Sequence, residues 1–107
     1  MKKRKKGRLE KAGWRIGSAT AFLDLSDAES AIIEIRVTLA RALRRRRVER
    51  HMSQAALAKQ IGSSQSRVAK MEAGDPSVSL DLLMRSLFVT GSTTAEIGKA
   101  ISAAFAA

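Results

Sequence analysis

Apolar residues recur at three- and four-residue spacing along most of this chain, which is the period of an α-helix. The longest such pattern follows Ser26 and comprises Ala28, Ile32, Ile35, Leu39, Ala42 and Leu43. Ser26 and Glu29 have the spacing of a capping box, so they predict where this helix begins. Nothing interrupts the pattern before His51, and we therefore expect a helix of about 23 residues, ~34 Å long at 1.5 Å per residue.

A second apolar strip widens the face of this long helix and consists of Ile33, Val37 and Ala40. We do not expect one modest core to absorb both strips. Part of the segment 32–37 is therefore predicted to contact either the N-terminal segment or a second subunit.

Two short helices are predicted between Ser53 and Gly74. Ser53 is suited to cap the first, because its hydroxyl can accept a hydrogen bond from an amide of the first turn. Gly62 follows the last apolar residue of that helix and can adopt the left-handed conformation of a helix end. Ser64 is predicted to cap the second helix, which runs from about Gln65 to Ala73.

Two further helices are predicted after the turn 75–79. The first, capped by Ser79, carries the apolar stripe Leu80, Leu83, Met84, Leu87 and Phe88. The second, capped by Thr93 or Thr94, carries Ile97, Ile101, Ala104 and Phe105, which pack either on the domain's own core or at a dimer interface. Ahead of the long helix, the apolar stretch from Trp14 to Leu25 predicts one or two helical turns. The chain shows no strand pattern, so the predicted fold is all-α, with five main helices and a short N-terminal one.

The Gln65–Ala73 helix has one apolar and one polar face. Val68, Met71 and Glu72 fall on one side at 100° per residue, and Ser66, Lys70 and Ala73 fall on the other. The polar face suits the major groove of DNA, because Ala69 and Ala73 allow close approach. There Gln65 can pair with adenine N6 and N7, and Lys70 can reach guanine O6 and N7.

The residues from Ser53 to Gly74 resemble the helix-turn-helix family of phage repressors and Cro proteins, known as the XRE or Cro–CI family. The matching pattern is Ser53-Gln54-x-x-Leu57-Ala58-x-x-Ile61-Gly62-x-Ser64-Gln65-x-x-Val68-x-x-Met71-Glu72-x-Gly74. The resemblance covers about residues 38–91. It implies a compact five-helix repressor-like domain that binds DNA in a sequence-specific way.

Together with the polar face, the resemblance assigns roles to individual residues. Base contacts are expected from Gln65, Ser66 and Lys70, and contacts to the DNA backbone from Gln54, Ser64 and Arg67. Gln54 is also expected to brace Gln65.

Four consecutive arginines, residues 44–47, end the long helix. They form either a solvated charged face or a set of which at least one member points to the core. The resemblance implies that Arg47 pairs with Glu72. Glu72 independently needs such a partner, because it falls on the buried face and a buried unpaired carboxylate is strongly destabilising.

Composition agrees with a nucleic-acid partner. The 107 residues form one domain with a formal charge of +10 and a pI near 11.2, which favours a polyanion, with a membrane surface as the second candidate. There is no cysteine, no stretch approaches about 18 apolar residues, and the basic N-terminus lacks the apolar core of a signal peptide. We expect a cytoplasmic protein, associated with the nucleoid when bound to DNA.

The charge pattern and the helices suggest three regions. Residues 1–26 would be a basic arm and short helical extension, 27–91 the DNA-binding domain, and 92–107 a C-terminal helix that packs on the core or at a dimer interface. The basic residues 1–11 are either a solvated tail or an arm that follows phosphates.

Catalysis finds little support in the sequence. His51 has no cysteine or carboxylate at metal-ligand spacing, and no glycine-rich phosphate loop or activated serine is evident. We expect no enzyme activity, no metal and no cofactor.

Three functional hypotheses remain. The first is a transcriptional regulator, most simply a repressor, that binds a double-stranded operator as a homodimer. The second is a HigA-type antitoxin that binds a ribonuclease toxin and represses its own operon; the small size and the N-terminal extension resemble that group. The third is a basic protein-interaction module without specific DNA binding.

Overall fold

The computed structural model describes residues 25–106, which fold into five α-helices without a strand. These are α1 (Leu25–Glu49), α2 (Gln54–Ile61), α3 (Gln65–Glu72), α4 (Leu80–Val89) and α5 (Thr94–Ala104). The predicted all-α fold with a long first helix is therefore confirmed. The predicted short helix around Trp14 and the basic arm lie outside the described residues.

The predicted capping box at the start of α1 was wrong, and the chain has one at α5 instead. A capping residue needs an extended backbone, whereas Leu25 and Ser26 are both already helical. At α5, the Thr93 hydroxyl accepts a hydrogen bond from the Glu96 amide, and the Glu96 carboxylate accepts one from the Thr93 amide. The spacing of Thr93 and Glu96 carries the same sequence signal that we assigned to Ser26 and Glu29.

Helices α1 to α4 end in the same way, with one residue in the left-handed conformation. The amide of that residue and the amide of the next residue both donate hydrogen bonds to carbonyls of the last helical turn. This arrangement is a Schellman motif. At α1 the left-handed residue is His51, with φ 57°, and the Met52 amide donates to the Arg47 carbonyl at 3.1 Å. The corresponding residues of the other three helices are Gly62, Gly74 and Gly91. His51 is the one non-glycine residue between 25 and 106 with a positive φ.

The core lies between α1 and the four shorter helices. Helix α1 packs against α3, α4 and α5, while α2 packs against α3 and α4. Each element supplies side chains that are at most 5% exposed: Leu39, Leu43, Leu57, Ala58, Val68, Met71, Val78, Leu83, Leu87 and Ile97. Ile97 is buried and Ile101 packs against this core, so α5 contributes side chains to the core.

Part of the apolar surface of α1 between residues 32 and 37 is exposed, and part packs within the domain. Val37 lies beside the backbone of Gly74, and Ile35 packs against the core, so these two side chains are accounted for within the domain. Ile32 and Ile33 remain 46% and 60% exposed.

Candidate nucleic-acid interface

Helices α2 and α3 are joined by a short turn, and the predicted capping residues lie at the ends of these helices. The Ser53 hydroxyl accepts from the Ala56 amide at 3.0 Å and starts α2, and Gly62 ends it with φ 68°. The Ser64 hydroxyl accepts from the Arg67 amide at 3.2 Å and starts α3. Because the inner faces of both helices are buried in the core, the opposite face of α3 is directed outward.

The outward face of α3 brings together the three predicted base-contacting residues. Gln65, Ser66 and Lys70 are exposed, whereas Val68 and Met71 are no more than 1% exposed. Ala69 is half-buried and Ala73 exposed, so no bulky side chain stands between these polar groups. The face is therefore short, polar and accessible.

The three predicted backbone-contacting residues lie beside this face. Arg67 and Ser64 are exposed, and Gln54 is half-buried at the start of α2. The Ser64 hydroxyl lies 3.2 Å from the Ser66 hydroxyl as well as capping α3. Ser64 therefore has a structural role besides any contact with phosphate.

The ion pair between Arg47 and Glu72 is present and largely buried. Arg47 Nε donates to Glu72 Oε2 at 2.5 Å and Arg47 Nη2 to Oε1 at 3.0 Å, with the two side chains 12% and 3% exposed. The hydrogen bond to Glu72 raises the pKa of Arg47. Arg47 Nη1 also donates to the Met52 carbonyl at 2.8 Å, so one guanidinium ties the end of α1, the turn after it and the end of α3 together.

Gln54 extends this pair toward the outward face, a connection that sequence reasoning missed. Gln54 Nε2 donates to Glu72 Oε1 at 3.0 Å, and Gln65 Nε2 lies 3.4 Å from Gln54 Oε1. A continuous polar chain therefore runs from Arg47 through Glu72 and Gln54 to Gln65. The family resemblance pointed to its first and last links separately, but no spacing in the sequence indicates the middle one.

The comparisons with known proteins agree with this geometry. Residues 43–85 match the model of the helix-turn-helix family. These residues form a helix-turn-helix of the XRE/Cro–CI type. That family comprises DNA-binding regulators and is generally non-enzymatic. No curated protein and no solved structure showed significant similarity to the chain.

The matched region contains both helices of the motif and the elements that orient them. It begins at Leu43 in α1, includes α2 and α3, and ends at Arg85 in α4. Within residues 25–106, no group of histidine and acidic side chains could hold a metal ion, and no helix is long and apolar enough to cross a membrane.

The loop after α3 places a carboxylate near the helix-turn-helix face. Asp75 Oδ1 accepts from the Ser77 amide at 2.8 Å, and this hydrogen bond lowers the pKa of Asp75. The charges of Lys70 and Arg36 lower it further. Arg36 also donates to the Val78 carbonyl, so a cation from α1 fixes the loop that leads into α4. The sequence predicted a turn here but not these contacts.

Positive charge is divided between the helix-turn-helix domain and the N-terminal residues. Of the four arginines at the end of α1, Arg46 donates to Glu96 at 2.7 Å and Arg47 to Glu72, whereas Arg44 and Arg45 are exposed. Residues 1–24 contain eight Lys or Arg and two acidic residues. Six of the ten net positive charges therefore precede the described part of the chain.

Proposed function

We propose that this protein is a sequence-specific transcriptional repressor that inserts α3 into the major groove of its operator as a homodimer. The observation that carries the proposal is the outward face of α3, where Gln65, Ser66 and Lys70 are exposed together on a helix whose other side is fixed in the core. A major groove admits one α-helix with such a face.

The side chains on this face have the chemistry of base recognition. The Gln65 amide can accept from adenine N6 and donate to N7, and the Lys70 ammonium can donate to guanine O6 and N7. Ser66 can donate or accept. Gln54, Ser64 and Arg67 lie at the edge of the face, where they can donate to phosphate oxygens and fix the helix in register.

A dimer follows from the small size of the reading helix. An eight-residue helix contacts only a few base pairs, and repressors of this kind bind two half-sites about one helical turn, ~34 Å, apart. The exposed Ile32 and Ile33 offer apolar surface for self-association. In this proposal residues 27–91 are the DNA-binding unit, residues 1–26 supply a phosphate-neutralising arm, and the protein acts in the cytoplasm on the nucleoid.

Selection from a randomised duplex at physiological salt tests the proposal. A repressor yields one enriched, palindromic sequence that binds far more tightly than random DNA, typically by about 10³-fold or more. An antitoxin yields the same enrichment and in addition binds a ribonuclease encoded beside it. A basic protein-interaction module yields no enriched sequence, and that result would remove the proposal.

A further inference from the structure

The polar chain from Arg47 to Gln65 has a fixed hydrogen-bond direction. The Glu72 side chain receives two N–H groups from Arg47 and is 3% exposed. A carboxylate paired in this way can only accept hydrogen bonds. Whatever contacts its Oε1 must therefore present a donor.

This requirement fixes the orientation of the Gln54 amide, which lies between Glu72 and Gln65. It must turn its NH2 group toward Glu72, where the Nε2 to Oε1 distance is 3.0 Å. A flipped amide would bring two acceptor oxygens together at a buried site, which is strongly unfavourable. The carbonyl oxygen of Gln54 consequently faces Gln65.

Gln65 is the last member of the chain, and its orientation follows from the others. Its Nε2 lies 3.4 Å from Gln54 Oε1, the longest link, and only the NH2 group can satisfy that oxygen. One N–H of Gln65 is therefore directed to Gln54. Its carbonyl oxygen and its second N–H remain available at the outward face.

We propose that Arg47 and Glu72 are positioning residues that determine which base Gln65 accepts, by fixing the orientation of its amide through Gln54. This inference rests on the proposed function. A glutamine whose amide can flip can donate to N7 and accept from N6 where adenine stands at the contacted position. With its oxygen and nitrogen exchanged, it can instead accept from N4 and donate to guanine O6 where cytosine takes the place of that adenine. An amide fixed in one orientation is confined to one of these patterns, so the buried pair restricts base choice without touching DNA.

Two variants interrupt this polar chain at different points and are chosen to avoid burying an unpaired charge. Gln54→Ala removes the middle link but leaves Arg47 and Glu72 paired. The double variant Arg47→Met with Glu72→Gln removes both charges together, so no unpaired charge is buried, and it leaves a residue at 72 that can donate or accept. Both variants should release the Gln65 amide.

The test combines a measurement without DNA and one with it. In the free protein, side-chain amide NMR should show an ordered Gln65 NH2 group in the wild type and a mobile one in both variants. The exposed Gln60 is the internal control, and its NH2 group should be mobile in all three proteins. In selection from a randomised duplex, the wild type should prefer one base at the position read by Gln65 by about 10-fold or more. That preference should fall to about 2-fold or less in both variants, while the preference at the position read by Lys70 is retained.

The outcomes separate this inference from the proposed function. A Gln65 amide as mobile as that of Gln60 in the wild type would overturn the inference before any DNA is added. An ordered amide with a base preference that is the same in all three proteins would overturn it while leaving sequence-specific binding intact. An ordered amide in a wild type that enriches no sequence would overturn the proposed function, and with it any role of the pair in base choice.

Discussion

Arg47 and Glu72 form a two-point ion pair that joins the end of α1 to the end of α3, with N–O distances of 2.5 and 3.0 Å and a carboxylate side chain only 3% exposed. The pair links the end of α3 to the end of α1 beside the buried Met71. It also explains why the last residue of α3 on the buried face is charged.

Removing one partner of this pair should destabilise the domain strongly. Glu72→Ala leaves the Arg47 guanidinium buried without its carboxylate and should cost about 3–5 kcal/mol of the free energy of unfolding, a large part of a small domain's stability. Urea unfolding followed by circular dichroism measures the change. Glu34→Ala, which removes an exposed carboxylate on α1, is the matched control and should change stability by less than about 0.5 kcal/mol. Equal midpoint shifts for the two variants would contradict the account.

His51→Gly should stabilise the protein. His51 adopts φ 57° at the end of α1, where α2, α3 and α4 have glycine. A non-glycine residue in this left-handed conformation costs about 1–2 kcal/mol, so replacement by glycine should raise the free energy of unfolding by about 1 kcal/mol. His51→Ala is the control and should give no such gain. A His51→Gly variant with an unchanged or lower thermal midpoint would show that the position is not strained.

The capping box of α5 should make stability depend on pH at the acid end. The hydrogen bond from the Thr93 amide, and more weakly Arg46, lower the pKa of Glu96 below its ordinary value of 4.5. A carboxyl with a lowered folded-state pKa stabilises the protein fully above the unfolded value, and this contribution is lost as pH falls through the folded value. Glu96→Gln keeps the capping geometry without the charge. Its unfolding midpoint should therefore decline less than that of the wild type as pH falls below about 4.5, and parallel declines would count against this role.

Self-association should depend on the exposed end of α1. Ile33→Asp should lower the dimer fraction in sedimentation at micromolar concentration, because it places a charge on the most exposed of the large apolar side chains between residues 25 and 106. Val48→Asp alters a side chain of similar exposure, 50%, near the other end of the same helix, and should leave the dimer intact. The dimer hypothesis fails if the wild type sediments only as a monomer, with or without operator DNA.

Most of the fold could be predicted from local sequence signals. Ser53, Ser64, Ser79 and Thr93 cap helices as their side chains suggested, because a hydroxyl that satisfies a first-turn amide acts within a few residues. The start of α1 could not be placed in this way, since a capping spacing at Ser26 does not prevent the helix from including Leu25. The sequence could not show which part of residues 32–37 packs within the domain, because the pattern along one helix does not reveal that Gly74 of another segment lies beside Val37.

Helical periodicity predicted the part of the site that depends on one helix, whereas the pairs Arg47–Glu72 and Gln54–Gln65, which each join two helices, followed only from the family resemblance. The faces of α3 follow from the helical period, so Val68 and Met71 are buried and Lys70 is exposed as expected. The contact between Gln54 and Glu72, and the loop contacts of Asp75 and Arg36, join residues that are distant in the sequence. Such contacts depend on how the elements pack, which no periodicity encodes.

Titration of DNA by four variants tests most directly whether α3 reads bases. The enriched duplex from selection and a random duplex of equal length are titrated at several salt concentrations with Lys70→Ala, with a chain lacking residues 2–6, and with Lys99→Ala, which removes an exposed lysine of α5. Gln54→Ala, also included, should fall between Lys70→Ala and the shortened chain.

Lys70→Ala should weaken binding to the enriched duplex by about 1–3 kcal/mol at particular base pairs and affect random DNA less. Deletion of residues 2–6 should weaken both duplexes alike and reduce the salt dependence by about 0.9 for each phosphate that the arm no longer neutralises, whereas Lys99→Ala should change neither affinity. Equal weakening of both duplexes by Lys70→Ala, together with a changed base preference after deletion of residues 2–6, would contradict the assignment of α3 as the reading helix.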